Sequence, residues 1–288
     1  MQAKLLIDRG DFLGAYRKFW QAMDDEAGPH WPLLSYEICD DIRAKCWPMF
    51  MGMAISWDVR EMINLFNNWG AKLREWHCWF AVLEGYGEQD AWTFRSHFLE
   101  PIAFYCILQP SAMRDRFGAL ATTTIHQANL QIVPGYEDRL EQDKTPGRFL
   151  SRGRVEKQLS RIGTQWSSCA SLEAALANLD GKAYRNITAD FRNRASHSIA
   201  PRFEIGHTNL VTRSIAPLTE LVDQGDGAFM PREHPTKRVV RYGVGGIAPL
   251  SLRAMLSENE KAYESALSAF SAYKALTQEI LKEIPDSA

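Results

Sequence analysis

Trp57 to Glu84, WDVREMINLFNNWGAKLREWHCWFAVLE, decides the fold class. Its apolar residues Val59, Met62, Ile63, Phe66, Trp69, Leu73, Trp76, Phe80 and Leu83 recur every three or four positions, the period of a helix with one buried face. Ser56 before the run and Gly85 after it read as cap signals, so the spacing predicts one long helix. Outward from it, shorter helices are expected at 3–24, at 34–55 with a bend or break near Pro48, at 89–108 with an interruption near Pro101, and at 111–131. The stretch 135–147 reads as a polar connection.

The second half opens with a basic helix near 149–162. A short helix follows near 172–179, with Ser171 as its N-cap and Glu173 in its first turn. A third is expected over 182–198, where Ala183, Ile187, Phe191 and Ala195 step by four and form its apolar stripe; Pro201 ends it. Residues 203–215 and 236–244 are rich in β-branched and aromatic side chains and predict two strands of a small hairpin, joined by a loop at 223–235. A long helix over 251–284 closes the chain. The whole is a mainly α protein, a helical bundle with a small β-hairpin insertion, divided into an aromatic-rich helical region, 1–143, and a second helical domain, 144–288, carrying the hairpin near 203–244.

With 45% hydrophobic and 24% charged residues, the 288-residue chain has an ordinary globular composition. Asp8 and Asp11 fall where an export signal would be apolar, and the longest apolar run, 101–108, is too short to cross a bilayer. The five cysteines contain no C-x-x-C pair and read as reduced thiols. These features lead us to expect a cytoplasmic protein outside the membrane. The net charge of −2 argues against indiscriminate nucleic-acid binding, yet residues 144–213 hold 12 Lys and Arg against 5 Asp and Glu. A positive surface there would attract phosphates.

Inside that window lies Arg192-Asn193-Arg194-Ala195-Ser196-His197. An imidazole moves protons near neutral pH, a guanidinium holds a phosphate bidentately and an amide orients a hydroxyl. Near a helix C-terminus His197 would be favoured as the imidazolium, suited to donating a proton. One histidine serves poorly on both sides of an in-line displacement, so two copies from two chains would complete the site.

Arg192-Asn193-x-x-x-His197 resembles the R-x(4-6)-H motif of the HEPN superfamily, often written with a polar residue after the arginine. The resemblance spans at most about 149–284 and rests on six residues. It implies a HEPN-type helical bundle, a homodimer, and metal-independent endoribonuclease activity of the toxin or anti-phage kind. Its partners would be RNA and an antitoxin or other regulatory protein, with no cofactor. The 2′-hydroxyl would attack the adjacent phosphate, leaving 2′,3′-cyclic ends; His197 would transfer protons, Arg192 would stabilise the phosphorane, and Asn193 would hold oxygens, with Arg194 adding electrostatic support. Arg148, Arg152, Arg154 and Arg161 are either a solvated face or an RNA-contacting surface.

Two other readings stand beside this one: a catalytically silent HEPN-like module that holds RNA or protein, and a helical sensor whose tryptophans, Trp57, Trp69, Trp76, Trp79 and Trp92, line a small-ligand pocket or pack the core. A zinc site at His77-Cys78 with Cys39, Cys46 or Cys106 lacks paired-ligand spacing. Gly243-x-Gly245-Gly246 lacks the Lys and Ser of a phosphate loop and reads as a tight turn.

Overall fold

A helical period this regular needs partners for its apolar face, and the computed structural model supplies them. It describes residues 9–25, 29–140, 150–225 and 227–287. Among these the protein is mainly helical: α1 Arg9–Asp24, α2 Glu37–Arg43, α3 Met51–Leu83, α4 Glu88–Phe94, α5 Glu100–Ile132, α6 Arg152–Ile162, α7 Cys169–Asn178, α8 Lys182–Ile187, α9 Phe191–His197 and α10 Leu252–Glu283. Strands β1, Thr208–Asp223, and β2, Phe229–Ile247, pair antiparallel. The chain forms two compact units: Met1–Thr188 with Leu252–Ala288, and Ala189–Ser251. The sequence division at 143 falls inside the first.

In the first unit α3 packs against α1, α2, α5 and α10. Phe66 joins three of these helices, its ring 5.9 Å from Phe117 and 5.8 Å from both Tyr263 and Phe270. Val59, Met62, Ile63, Trp69, Leu73 and Trp76 share full burial with it. Burying each such side chain contributes about 1.5–3 kcal/mol. The helix starts before Trp57, after a break around Pro48 where Met49 is left-handed at φ 49°. Ser56 is therefore no cap; it is buried within α3 and donates to the Cys39 carbonyl at 3.1 Å.

The expected gap between 108 and 111 is absent, because α5 runs on through Pro110. An interior proline deletes one backbone bond and disturbs the turn before it. Here the Tyr184 hydroxyl donates to the Ile107 carbonyl at 3.2 Å, a carbonyl of that turn. Burial holds the Tyr184 phenol well above its ordinary pKa. Upstream, five residues of π-helix, Arg95–Leu99, link α4 to α5 near the interruption expected at Pro101.

The helix expected at 172–179 begins at Cys169 instead. The turn that leads into it is held from afar: Glu279 accepts from the Ser167 and Ser168 amides at 2.8 and 2.9 Å. Burial raises the Glu279 pKa, but the hydrogen bonds from Ser168 and Ser167 outweigh it, and the net shift is downward.

The second unit holds α9 and the hairpin. Its strands are longer than the sequence suggests, with the connecting loop shrunk from 223–235 to 224–228. Ladder pairing continues to Asp223↔Phe229 past an irregularity between Pro217 and Thr219, where Pro235 falls outside the paired positions. Gly243, Gly245 and Gly246 lie within β2 and form no tight turn. A Cβ on Gly245 would meet Thr212 Cγ2 at 2.5 Å, so the glycine permits that cross-strand approach.

Candidate functional site

The single helix expected over 182–198 is two. Thr188 ends α8, its hydroxyl donating to the Tyr184 carbonyl at 2.9 Å. Ala189 and Asp190 then adopt left-handed backbone, φ 49° and 53°, and α9 starts at Phe191. Such residues cost about 1–2 kcal/mol each outside glycine. The break also dissolves the expected stripe, since Ala183 and Ile187 are exposed while Thr188 and Phe191 are buried. Phe191 instead faces the Phe203 ring at 5.6 Å, seating α9 on its own unit.

Arg192, Asn193 and His197 share α9, and all three are exposed. Arg192 Nη1 donates to Asn193 Oδ1 at 3.1 Å, and Asn193 Nδ2 donates to the Asp190 carboxylate at 2.8 and 3.1 Å. Arg194 Nε donates to the Ala189 carbonyl at 2.8 Å. Asn193 and Arg194 thus brace the left-handed turn. His197, in the last turn, has no hydrogen bond to its imidazole among the described residues, and its ring is open to a ligand.

The basic window divides between the units. Arg148 lies outside the described residues. Arg152 is a hub of the first unit: it donates to Asp115 at 2.5 Å, Asp180 at 2.6 Å, and the Ser111 hydroxyl and carbonyl at 2.6 and 3.1 Å. Burial opposes its charge, but the Asp115 and Asp180 carboxylates more than offset this and push its pKa up. Arg152 therefore serves the fold, spending its donors inside the protein. Arg161 is bonded to Asp138, whose carboxyl is buried and whose pKa falls despite that burial because Arg161 and Gln158 donate to it. Arg154 is exposed and has no partner among the described residues.

The tryptophans separate by burial. Trp69, Trp76 and Trp79 belong to the core, whereas Trp57 and Trp92 are 56% and 46% exposed. Sequence reasoning missed an aromatic stack: Trp79 lies between Phe19 at 4.8 Å and Phe98 at 4.4 Å. It borders a cleft of about 300 Å³ with Trp20, Lys72, Glu75 and His97. Trp79 and Phe98 come from different helices, so no local spacing announces the stack.

His77 pairs with Glu260 at 2.6 Å, and no group of three metal-ligating side chains occurs among the described residues. Burial raises the Cys39, Cys78 and Cys106 thiols and brings Cys169 to about 11. No described helix is long and apolar enough to cross a membrane. Comparison with protein-family models, curated proteins and solved structures finds no match to the chain.

Proposed function

We propose that this protein is a HEPN-type, metal-independent endoribonuclease acting as a homodimer, in the manner of toxin or anti-phage effectors. The observation that carries the reading is the joint exposure of Arg192, Asn193 and His197 on the single helix α9. His197 moves protons between the 2′-hydroxyl, the leaving oxygen and solvent; Arg192 neutralises the phosphorane; Asn193 orients an oxygen. In-line displacement needs groups on both sides of one phosphorus, which two copies of the motif provide. RNA is the substrate, and Arg154, exposed and without an ion pair among the described residues, is the arginine of the basic helix that would contact it. An antitoxin or another regulatory protein is the partner that would restrain it.

The test is cleavage of a labelled RNA by the purified protein with and without EDTA. Products ending in 2′,3′-cyclic phosphate, unaffected by chelation and lost in His197→Ala, are expected. Loss on chelation restored by magnesium would refute the mechanism. A second reading, RNA holding without cleavage, is favoured by the engagement of Asn193 with Asp190 and of Arg192 with Asn193. RNA binding with no cleavage, unchanged in His197→Ala, would establish it.

A further inference from the structure

A two-stranded ribbon buries little by itself and is marginal in water. In this hairpin the odd-numbered residues of β1 are largely exposed: Val211, Ile215 and Leu221 are 73%, 62% and 69% exposed, with Arg213 and Asp223 between and beyond them. Across the ladder the same face continues through Tyr242, Val240, Arg238, Glu233, Pro231 and Phe229. Charge along this face is segregated. Arg213 and Arg238 lie on the half near the helices, Asp223 and Glu233 on the half near the loop, and none of the four forms an ion pair among the described residues.

We propose that this face is covered by the same face of a second copy of the chain, packed antiparallel about a two-fold axis that crosses the strands at Leu218. The ladder places Arg238 opposite Pro217, Val240 opposite Ile215 and Tyr242 opposite Arg213; beyond the irregularity it places Glu233 opposite Thr219, Pro231 opposite Leu221 and Phe229 opposite Asp223. Arg213 and Asp223 are each five positions from Leu218, while the levels of Arg238 and Glu233 are each one position from it. One axis therefore sets Arg213 against the partner's Asp223 and Arg238 against the partner's Glu233. The same operation sets Ile215 against the partner's Leu221, Val240 against the partner's Pro231 and Tyr242 against the partner's Phe229.

This is the self-complementarity that a two-fold interface requires, with apolar facing apolar and each charge facing its opposite. β1 has 16 residues. Under this axis residues 213–223 of the two copies overlap, and at about 3.3 Å per residue and roughly 10 Å of ribbon width the two faces would bury on the order of 700 Å², the size of a weak, exchanging dimer. The inference goes beyond the proposed function and does not supply its composite site: Thr208, at the α9 end of β1, is ten positions from Leu218, so this axis sets the two α9 ends of the ribbon roughly 66 Å apart.

The test uses sedimentation velocity on the full chain, wild type and two charge reversals, Arg213→Glu with Arg238→Glu and Asp223→Arg with Glu233→Arg. Wild type should dimerise, and each reversal should raise the dissociation constant at least ~100-fold, because every pair becomes like-charged. Mixing the two variants should restore a heterodimer to within ~10-fold of wild type, a result that misfolding does not produce. Circular dichroism should be unchanged, as all four side chains are exposed. A monomeric wild type, a dimer indifferent to both reversals, or mixtures that stay monomeric would overturn the proposal. A monomer that loses RNA binding on Arg213→Glu with Arg238→Glu would assign the ribbon to nucleic acid instead. A hairpin dimer without RNA cleavage would leave this inference intact and sink the ribonuclease reading; cleavage with a dimer formed elsewhere would do the reverse.

Discussion

Arg152→Met separates a structural arginine from an RNA-contacting one. The substitution keeps most of the aliphatic stem and deletes every donor, leaving Asp180, whose side chain is 8% exposed, and Asp115, at 40%. Removing one partner of a buried ion pair costs about 3–5 kcal/mol. Water reaches Asp115, so its share is on the order of 1 kcal/mol or less. Arg185 Nε remains 3.5 Å from Asp180 and offsets part of the remainder. The sum is a loss of about 2–3 kcal/mol, concentrated at Asp180.

The assay is urea unfolding followed by tryptophan fluorescence, in which the midpoint should fall with an unchanged slope. Adding Asp180→Asn to Arg152→Met removes the stranded charge. It should return about 1 kcal/mol, whereas independent sites would add their losses. Folded Arg152→Met should bind RNA within about 2-fold of wild type, while Arg154→Ala should weaken binding and flatten its salt dependence by about one counterion. An unmoved midpoint combined with weakened RNA binding would refute the reasoning and return Arg152 to the RNA surface.

Glu279→Gln should cost about 1 kcal/mol at pH 7, as loss of the charge from a hydrogen-bonded acceptor does. Because the folded Glu279 pKa lies below the ordinary value of about 4.3, its stabilisation is complete above that value and is lost as pH falls toward the folded pKa; the deficit of the variant should therefore shrink in acid unfolding curves. Ala189→Gly relieves a left-handed alanine worth about 1–2 kcal/mol and returns about 0.5–1 kcal/mol of that as chain entropy, so a rise of a few tenths of a kcal/mol to about 1 kcal/mol is expected in melting experiments, and a fall would show that the turn is unstrained. Cys46 is the exposed one of the five free cysteines, so native protein should titrate one thiol with a chromogenic disulfide and denatured protein all five; two fast thiols would contradict the burial described.

What the sequence made legible was local. The stripe from Val59 to Leu83 needs no knowledge of its partners to predict a helix, and the burial of Phe66, Trp69 and Trp76 follows from it. What it hid was set at long range: Glu279 holds an amide 111 positions away at the entry to a helix, Tyr184 satisfies a carbonyl in the turn that Pro110 disturbs, and the ladder carries both strands past the ends that composition suggests. The candidate site lies between these cases. Its residues were readable from six letters, but its setting depended on Ala189 and Asp190, neither of them glycine, turning left-handed where the period continued unbroken. Asn193 and Arg194, from the motif itself, hold that turn through Asp190 and the Ala189 carbonyl. Replacing Asn193 would consequently disturb the presentation of the motif together with any chemistry it performs. His197 is four residues along, exposed and with no hydrogen bond to its imidazole among the described residues, so its replacement removes an imidazole and leaves the turn in place. A loss of activity in His197→Ala therefore reports on chemistry, where the same loss in Asn193→Ala reports on the turn as well.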